Sequence, residues 1–397
     1  MTPLDGILVA DFSRVLAGPL AAMLLGDLGA DVVKVERPDG GDDTRAWGPP
    51  WRDERSGERA ARGRKGFARD RQATYYLGLN RNKRSLALDL GDPGDVVLAR
   101  RLAGRADVLI ESFRPGLMAR WGLDAETLRE ANPRLVTCSV TAFGTESAEA
   151  RALPGYDFLA QAMGGLMSVT GEEDGRSLKT GAAVVDLVCG LLAVVGIQAA
   201  LAERARTGRG RHVEVSLMDA ALMALLNQGS AWVLGGAVPH RRGNRHPSIA
   251  PYETFDAADR PIAIAVGNDR LFTRLCGALG LPELPADERF ATNSARVANA
   301  AALAERLEAA LRTRPAADWI AALRAAAVPA GPINDVSEAF ALAESLGMEP
   351  VGEAGGYPLP TPPLRLDGER PAIRRPPPGL DEHGAELRAW LADEHPH

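Results

Sequence analysis

The stretch ILVADFSRVLAGPLAAMLLGDLGADVVKVE, residues 7–36, has the pattern of a strand, a helix and a second strand. ILVADF (7–12) is an apolar run of strand length, and AGPLAAMLLGDLG (17–29) has helical periodicity and ends at glycine, as many helices do. ADVVKVE (30–36) is rich in β-branched residues and predicts the second strand. We therefore expect this part of the chain to form a βαβ unit.

Strand and helix patterns continue to alternate after this unit. SLALDL (85–90), DVLIESF (107–113) and LVTCSVTAF (135–143) have strand character. DVVLARRLAGR (95–105) and LDAETLREANP (123–133) have helical character and lie between them. Repeated alternation of this kind predicts an α/β fold with a doubly wound parallel sheet, whose ligands bind beyond the carboxyl ends of the strands.

The second half of the chain is organised differently. A long apolar helix is predicted from Asp186 to Arg206, and after it short strand-like runs and helical stretches replace the regular alternation. We predict a large domain from residues 1–217 and 313–397. A linker helix over 218–234 would lead to a smaller α+β domain over 235–312.

The composition indicates a protein with a large buried core and a mild negative charge. The 397 residues are 46% hydrophobic, with a formal net charge of −6, and no basic helix indicates a nucleic-acid partner. Cys138, Cys189 and Cys276 lie far apart in apolar runs. This pattern predicts reduced, buried thiols in a cytoplasmic protein, not disulfides or a zinc site.

Membrane association and secretion are not indicated by the sequence. The opening residues, MTPLDGILVADFSRV, do not have the charged leader and apolar core of a signal peptide. The apolar stretch after Asp186 is expected to be too short for a membrane span, and Gly190, Gly196 and Gln198 interrupt it. We therefore predict a soluble cytoplasmic protein with no membrane partner.

Several common active-site motifs are absent. The turn SRVLAGPLAAMLLG (13–26) lacks the G-x-G-x-x-G spacing of dinucleotide sites, although Glu36 ends the second strand where a ribose-binding acid would stand. His212, His240 and His246 do not have metal-ligand spacing, and no G-x-S-x-G elbow occurs. The sequence therefore favours neither a nicotinamide or flavin enzyme, nor a metal enzyme, nor a serine hydrolase.

Arginine and lysine residues occur where the predicted sheet would place a ligand. Arginine binds phosphate well because its planar fork donates two hydrogen bonds at once. Solvated surface charge explains any one of these residues, and it is the expectation for the arginine-rich segment Arg52–Arg71. The strand-end residues are Arg14, Arg37, Lys83, Arg84, Arg114 and Arg120.

Asp186 is a single carboxylate in the apolar segment TGAAVVDLVCGLLAVVGIQAAL (180–201). A charge in such surroundings is costly unless it is paired, caps a helix or takes part in chemistry. Aspartate is among the best helix N-cap residues, and the sequence favours that role here. A nucleophilic role is compatible with the cap, because an aspartate at a helix N-terminus is expected to stay ionised.

Ten segments together carry a resemblance to a known family, although no single one is specific. They are LDGILVADFSRVLAGPLAAMLLGDLGADVVKVERP (4–38), LNRNKRSLALDL (79–90), DVLIESFRPGLMARWGL (107–123), ANPRLVTCSV (131–140), GYDFLAQAMGGLMSVTG (155–171), GAAVVDLVCGLLAVVGIQAAL (181–201), TGRGRHVEVSLMDAAL (207–222), GNRHPSIAPYETF (243–255), DERFATNSARVAN (287–299) and VPAGPIND (328–335). In these segments the chain resembles the family III CoA-transferases, which include formyl-CoA transferase and the carnitine CoA-transferases.

The resemblance implies both an activity and a fold. Coenzyme A would be a cosubstrate, with no permanently bound cofactor, and Asp186 would attack an acyl-CoA thioester. A mixed anhydride and then an aspartyl-CoA thioester would carry the group to a small carboxylic or dicarboxylic acid, such as succinate. The implied fold is a Rossmann-like large domain built from both chain ends, with a smaller domain, in an interlocked homodimer.

The family's binding residues match positions in this sequence. Gly243 and Asn244 form a candidate oxyanion or substrate loop together with Tyr156. GNRHPS (243–248) replaces the long glycine run of formyl-CoA transferase, which argues against that substrate. The positions that match the family's CoA contacts are Val15, Ala17, Arg37, Leu88, Ser112, Phe113 and Arg120.

Two other functions stay open on the sequence alone. The related α-methylacyl-CoA racemases use an aspartate with a histidine in a G-H-D segment, which here is Gly155–Tyr156–Asp157. Tyrosine is poorly suited to deprotonating an α-carbon near neutral pH, so the substitution favours transfer. A non-catalytic CoA-binding protein is the third possibility, and the presence of Asp186 in an apolar setting argues against it.

Overall fold

The computed structural model describes residues 2–53 and 71–393, which form two compact units. The first unit contains the chain up to Leu166, Thr180–Val233 and the residues from Glu349 onward. The second contains Met167–Lys179 and Leu234–Met348. The first unit is therefore built from both ends of the chain.

The helices and strands are numbered here in chain order. The strands are β1 (Leu8–Phe12), β2 (Asp31–Glu36), β3 (Trp51–Asp53), β4 (Arg71–Ala73), β5 (Lys83–Ala87), β6 (Val108–Glu111), β7 (Val136–Thr141), β8 (His212–Ser216), β9 (Tyr252–Asp256), β10 (Pro261–Ala265), β11 (Ala330–Pro332), β12 (Val351–Ala354) and β13 (Tyr357–Pro360). The helices are α1 (Ala17–Asp27), α2 (Thr74–Leu79), α3 (Pro93–Arg105), α4 (Leu117–Arg120), α5 (Ala125–Ala131), α6 (Ala148–Ala152), α7 (Asp157–Met163), α8 (Leu166–Val169), α9 (Val184–Thr207), α10 (Leu217–Ala224), α11 (Asn227–Gly235), α12 (Asp269–Leu279), α13 (Asn293–Ala298), α14 (Ala300–Leu311), α15 (Ala316–Ala325), α16 (Val336–Ser345) and α17 (Gly384–Ala392).

A six-stranded parallel sheet in the order β5-β2-β1-β6-β7-β8 forms the centre of the first unit. Counted along the chain, these six strands have the order 3-2-1-4-5-6 of a Rossmann-like doubly wound sheet. The strand order reverses between β1 and β6, where Phe12 pairs with Glu111. The predicted α/β class is confirmed, and the carboxyl ends of β1 and β6 mark the expected binding crevice.

Helices α1 and α9 pack closely against each other beside this sheet. Every residue of α1 is buried. A Cβ atom at Gly190 of α9 would lie 2.8 Å from the carbonyl oxygen of Ala17, closer than real Cβ atoms approach. Gly190 therefore allows the close contact between the two helices.

The length of α9 contradicts one expectation. It has 24 residues and is, by length and composition only, the one single helix of residues 2–53 and 71–393 that could cross a membrane. The prediction that this apolar stretch is too short is therefore wrong. Length and composition are weak grounds for a span, because helices in protein cores pass the same test, and α9 contacts α1, β7 and β8.

The second unit has a three-stranded antiparallel sheet in the order β11-β10-β9, covered by helices. Its core contains Phe255, Phe272 and Leu307. Trp319 and Leu323 of α15 are buried in the same core. Residues 313–348 therefore lie in the second unit, whereas the sequence pattern assigned them to the large domain.

Three further segments differ from expectation. The linker helix predicted over 218–234 is two helices, α10 and α11, separated by Leu226 in a left-handed conformation (φ 47°). The ends of the segment Arg52–Arg71 lie in the paired strands β3 and β4, and residues 54–70 lie outside the described residues. Lys83 and Arg84 begin β5, so they lie at the amino end of that strand and not at the ligand-binding end.

Candidate active site

Two cavities lie at the carboxyl ends of β1 and β6, each with a volume of about 210 Å³. The first is lined by Arg14, Val15, Leu16, Ala17, Gly18, Asp43, Ser112, Phe113, Arg114, Pro115, Val140, Thr141, Ala142, Leu153, Pro154, Gly155, Tyr156, Asp186 and Leu217. The second is lined by Phe12, Arg14, Lys34, Val35, Glu36, Arg37, Gly41, Asp42, Leu88, Asp89, Leu90, Gly91, Phe113 and Trp121. All of these residues belong to the first unit.

Arg14 and Phe113 line both cavities and so mark the boundary between them. The Arg14 N–H donates to Ser112 Oγ at 2.9 Å, and the guanidinium lies 5.2 Å from the centre of the Phe113 ring. Phe113 also makes an edge contact with Trp121. The two cavities can therefore hold the two ends of one elongated ligand that passes Arg14 and Phe113.

Asp186 is the third residue of α9 and lines the first cavity. The N-cap is Ala183, which makes no side-chain capping hydrogen bond, so the expectation that Asp186 caps the helix is wrong. Burial and, after it, the charge of Asp157 raise the pKa of Asp186 to about 7. The expectation of a carboxylate kept fully ionised at neutral pH is therefore also wrong.

Asp157, the first residue of α7, supplies the cap that Asp186 does not. Its Oδ1 accepts the N–H of Val185 at 2.9 Å and the N–H of Asp186 at 3.3 Å. Its Oδ2 accepts from Gln161 Nε2 at 2.6 Å, and Gln161 Oε1 accepts the Thr180 N–H at 2.9 Å. A carboxylate from a neighbouring helix thus occupies the positive end of α9 and holds the backbone of Asp186.

Two neutral groups lie close enough to Asp186 to respond to its charge. Burial, Asp186 and Asp157 raise the pKa of Tyr75 to about 12, so this hydroxyl keeps its proton at neutral pH. Burial, Asp186 and Asp219 raise the pKa of the Cys189 thiol to about 12. Because a thiol needs to be ionised to act as a nucleophile, Cys189 does not compete with Asp186.

The raised pKa of Asp186 predicts a pH-dependent gain in stability for Asp186→Asn. Between pH 4 and pH 7 the folded protein holds a proton that the unfolded chain releases, so the free energy of unfolding falls as the pH rises through this window. Since one pKa unit corresponds to about 1.4 kcal/mol and the carboxyl is partly exposed, we expect Asp186→Asn to gain roughly 2 kcal/mol at pH 8 and almost nothing at pH 4.

Thermal or urea unfolding of the unliganded protein at both pH values measures this difference. Asp92→Asn is a suitable control, because Asp92 caps α3 and lines neither cavity, and asparagine caps a helix equally well. An equal gain from Asp186→Asn at pH 4 and pH 8 would contradict the prediction.

The structure brings most of the predicted site residues together. Those in the first cavity are Val15, Ala17, Ser112, Phe113, Tyr156 and Asp186. Arg37 and Leu88 line the second cavity, which they share with Phe113. Arg120 is exposed at the end of α4 and lines neither cavity. The predicted contacts therefore form one crevice, apart from Arg120 and the residues of the second unit.

Gly243 and Asn244 belong to the second unit. Gly243 has φ 60°, and its N–H donates to the Gly171 carbonyl at 3.0 Å. Asn244 Nδ2 donates to Thr254 Oγ1 at 3.1 Å. Their assignment to an oxyanion or substrate loop stays a prediction. A bound oxyanion would have to replace the present acceptors of these two donors, or bind to other groups of the loop.

Sequence reasoning missed the role of Asp157 and the presence of Tyr75. Asp157 directly precedes the helical pattern FLAQAM (158–163), so its capping character was visible, but the helix that it caps starts 27 residues later. No local pattern marks Tyr75. Among residues 2–53 and 71–393, no group of three or more His, Cys, Asp or Glu side chains could hold a metal ion.

The fold and the site define an α/β protein with a crevice at the switch point of a Rossmann-like sheet and a carboxylate, Asp186, lining one end of that crevice. The family model of CoA-transferase family III matches residues 4–384. The chain belongs to CoA-transferase family III and is a CoA-transferase. The resemblance of the ten sequence segments to this family is thereby confirmed.

Similar proteins and a similar solved structure support membership of this family. The succinate–glutarate CoA-transferase of Agrobacterium fabrum is 43% identical over 394 residues, covering 98% of this chain and 96% of the relative. The acetyl-CoA:oxalate CoA-transferase of Acetobacter aceti is 41% identical, with 98% and 96% covered. The crystal structure of a CAIB/BAIF family protein from Brucella suis has 44% identity, a TM-score of 0.85 and coverage of 98% and 99%.

Proposed function

We propose that this CoA-transferase exchanges CoA between an acyl-CoA thioester and a small dicarboxylic acid, with Asp186 as the nucleophile. The observation that carries the proposal is the position of Asp186. It is a largely buried carboxylate in a cavity that shares Arg14 and Phe113 with a second cavity at the switch point of a Rossmann-like sheet. That geometry supports a ligand whose thioester reaches Asp186 while its nucleotide lies in the second cavity.

The proposed reaction conserves the thioester energy in two covalent intermediates. An ionised Asp186 Oδ attacks the thioester carbonyl, the C–S bond breaks, and CoA leaves as a thiolate from a mixed anhydride. The thiolate then attacks the aspartyl carbonyl, which releases the first acid and leaves an aspartyl-CoA thioester. The incoming carboxylate repeats these steps in reverse and regenerates the Asp186 carboxylate. Water needs to be excluded throughout, because it would hydrolyse the anhydride.

The second cavity supports binding of the nucleotide end of CoA. Arg37 lies there with its guanidinium 2.8 Å from Asp43 and bonded to the Asp39 carbonyl, which holds it in a fixed orientation. Leu88, Phe113 and the neighbouring Trp121 supply apolar surface for a base or for pantetheine. Arg37 is thus a proposed phosphate contact, and Arg120 is one only if the ligand extends beyond this cavity.

Two observations support a dicarboxylic acid as the acyl acceptor. Relatives at 43% and 41% identity are named for succinate and glutarate and for oxalate, all of them dicarboxylates. Arg14 and Arg114 line the same cavity as Asp186, and a guanidinium can bind the carboxylate that does not react. The assignments of Gly243 and Asn244, in the second unit, and of Tyr156, in the first, to oxyanion or substrate binding are retained as separate proposals.

The structure also bears on the racemase alternative. The position of the racemase histidine is held by Tyr156, whose surface is 59% exposed at the edge of the cavity. A tyrosine is chemically less suited than a histidine to remove an α-proton near neutral pH. This favours transfer over racemisation. The raised pKa of the largely buried Asp186 carboxyl favours an active enzyme over a CoA-binding protein without activity.

Incubation with succinyl-CoA and isotopically labelled glutarate or oxalate tests the proposal. We expect the label to enter the thioester pool. We also expect kcat/KM for dicarboxylic acids to be at least about tenfold above that for acetate, because one charged hydrogen bond contributes about 1.5–3 kcal/mol. Exchange of an α-proton without transfer of label would instead support a racemase. Binding of CoA with neither reaction would indicate a non-catalytic protein.

A homodimer is proposed from the apolar surface of the first unit. Helices α7, α9 and α10 pack together, and each leaves large apolar side chains exposed, such as Phe158, Val195 and Met223. Surfaces of this kind mark subunit interfaces, and an interlocked homodimer would cover them. Sedimentation at micromolar concentration should give twice the chain mass, and a monomer would contradict the proposal. We also propose a cytoplasmic location, where acyl-CoA substrates are available and free thiols stay reduced.

A further inference from the structure

The loop that follows β1 contains a strained residue that the proposed reaction does not explain. Val15 has φ 72°, in the left-handed region. A β-branched residue there is a genuine outlier, and such strain persists only when the surroundings impose it. The loop has no glycine between Phe12 and Ala17, so the chain takes this conformation without the residue that adopts it freely.

Asp42 lies against the backbone of this strained residue. The Val15 N–H points at the Asp42 carboxylate, 3.4 Å from Oδ1 and 3.3 Å from Oδ2. Asp42 Oδ1 also accepts the N–H and the hydroxyl of Thr44, at 2.9 and 2.8 Å. The carboxylate is therefore fixed from its own loop and is directed at the backbone of the strained residue.

Lys34 completes the arrangement from the sheet. Its Nζ lies 2.9 Å from Asp42 Oδ2 and donates to the Ser13 carbonyl at 3.0 Å, and both charged side chains are fully inaccessible to solvent. Burial alone would raise the pKa of Asp42, but Lys34 and the hydrogen bonds of Thr44 hold it at about 2. Lys34 and Asp42 therefore stay ionised. Lys34 contacts both the loop, at Ser13, and the Asp42 carboxylate.

A second buried lysine holds the far end of the same segment. Lys83 Nζ donates to the Pro19 carbonyl at 2.9 Å and pairs with Asp11 Oδ2 at 2.9 Å. Buried ion pairs contribute little to stability on average, so two of them around one loop need a reason other than stability. The residues between these two anchors line the first cavity.

We propose that Asp42 and Lys34 are positioning residues that impose the left-handed conformation of Val15 and so shape the loop Arg14–Gly18 for CoA. The inference rests on the proposed function, because it takes the crevice as the CoA site. Arg14 lines both cavities and donates its N–H to Ser112, and Val15 is the next residue of the same loop. The pair thus does the work that glycines perform in a dinucleotide-binding turn.

A double-mutant cycle with glycine tests this role, with the Kd of CoA measured by calorimetry. Asp42→Ala is expected to weaken binding about tenfold or more, because the backbone of Val15 loses its restraint. In the Val15→Gly background the same change is expected to weaken binding less than about threefold, since glycine adopts positive φ at little cost. Asp42→Asn, which keeps the volume and removes the charge, replaces Asp42→Ala if that variant does not fold.

Asp27→Ala is the matched control. Asp27 forms another buried ion pair of the first unit, 2.6 Å from Arg81, and lines neither cavity. It should lower the melting temperature without changing the Kd of CoA. An equal loss of CoA affinity for Asp42→Ala in both backgrounds, or no loss in either, would overturn the inference.

A crystal structure of the Asp42 variant separates this inference from the proposed function. If the unaltered protein does not bind CoA, the proposed function fails, and the conformation of Val15 in the variant still decides what Asp42 does. A φ of Val15 outside the left-handed region in the variant supports the inference. A φ that stays near 72° contradicts it.

Discussion

Asp186→Ala is expected to lower the rate of CoA transfer by about 10⁴-fold or more while changing the Kd of CoA less than about threefold. The carboxylate forms both proposed covalent intermediates, and the neighbouring Cys189 and Tyr75 stay protonated at neutral pH. In the proposed binding mode the nucleotide end of CoA lies in the second cavity, which Asp186 does not line. Steady-state kinetics and calorimetry separate the two effects.

Asp219→Asn is the matched control for Asp186→Ala. Asp219 also lies in the first turn of a helix of the first unit but lines neither cavity, so its loss should leave the transfer rate within a fewfold of the original. Trapping gives independent support: hydroxylamine or borohydride added during turnover should modify the peptide that contains residue 186. An unmodified peptide from enzyme that is turning over would refute a covalent role.

Asp157→Ala is expected to lower kcat about 100-fold, because Asp186 then loses the carboxylate that holds its backbone and displacement of a reacting group by about 1 Å can cost this much. Asp157→Asn keeps an oxygen that can accept the N–H groups of Val185 and Asp186 but removes the charge. We therefore expect a smaller loss of kcat with this variant and a change in pH dependence.

The pH profile distinguishes a charge effect from a structural one. Because Asp186 reacts in its ionised form, kcat/KM should rise with pH through about 7 in the unaltered enzyme. Removal of the Asp157 charge should move this acid limb to lower pH by up to about one unit, while burial keeps it above the ordinary aspartate value. Tyr75 from α2 and Cys189 from α9 are neutral in this range, and Arg14, Asp43 and Arg114 line the same cavity in every variant.

Gln161→Leu is the control for the pH experiment. It removes the hydrogen bond from Gln161 to Asp157 but leaves the carboxylate charge in place. The acid limb should therefore not move to lower pH, whatever happens to kcat. A limb that moves equally in Asp157→Asn and Gln161→Leu would show that the charge of Asp157 is not what raises the pKa of Asp186.

Local patterns in the sequence were sufficient for the elements that form the sheet. The strands predicted over 7–12, 30–36 and 107–113 correspond to β1, β2 and β6, because buried parallel strands are short apolar runs bounded by turns. The prediction was less successful at the boundary of the second unit. Helix α15 has the same kind of apolar stripe whichever core it joins, so its pattern does not show that Trp319 belongs to the same core as Phe255.

The candidate site was partly accessible for a related reason. Residues that follow strands, such as Arg14, Arg37 and Arg114, were placed at the crevice by the rule that ligands bind at the carboxyl ends of parallel strands. The proposed nucleophile, Asp186, was indicated by resemblance to a family. Its protonation was mispredicted, because burial and, after it, the charge of Asp157 from a different helix raise the pKa of Asp186.

The sequence by itself determined the α/β class, the family and the identity of the carboxylate at position 186, since these depend on periodicity and on the order of motifs along the chain. Only the tertiary structure decided the protonation of that carboxylate, its cap from Asp157, and the conformation that Asp42 imposes on Val15. These properties depend on burial and on hydrogen bonds between residues 27 to 29 positions apart, and no local pattern records such distances.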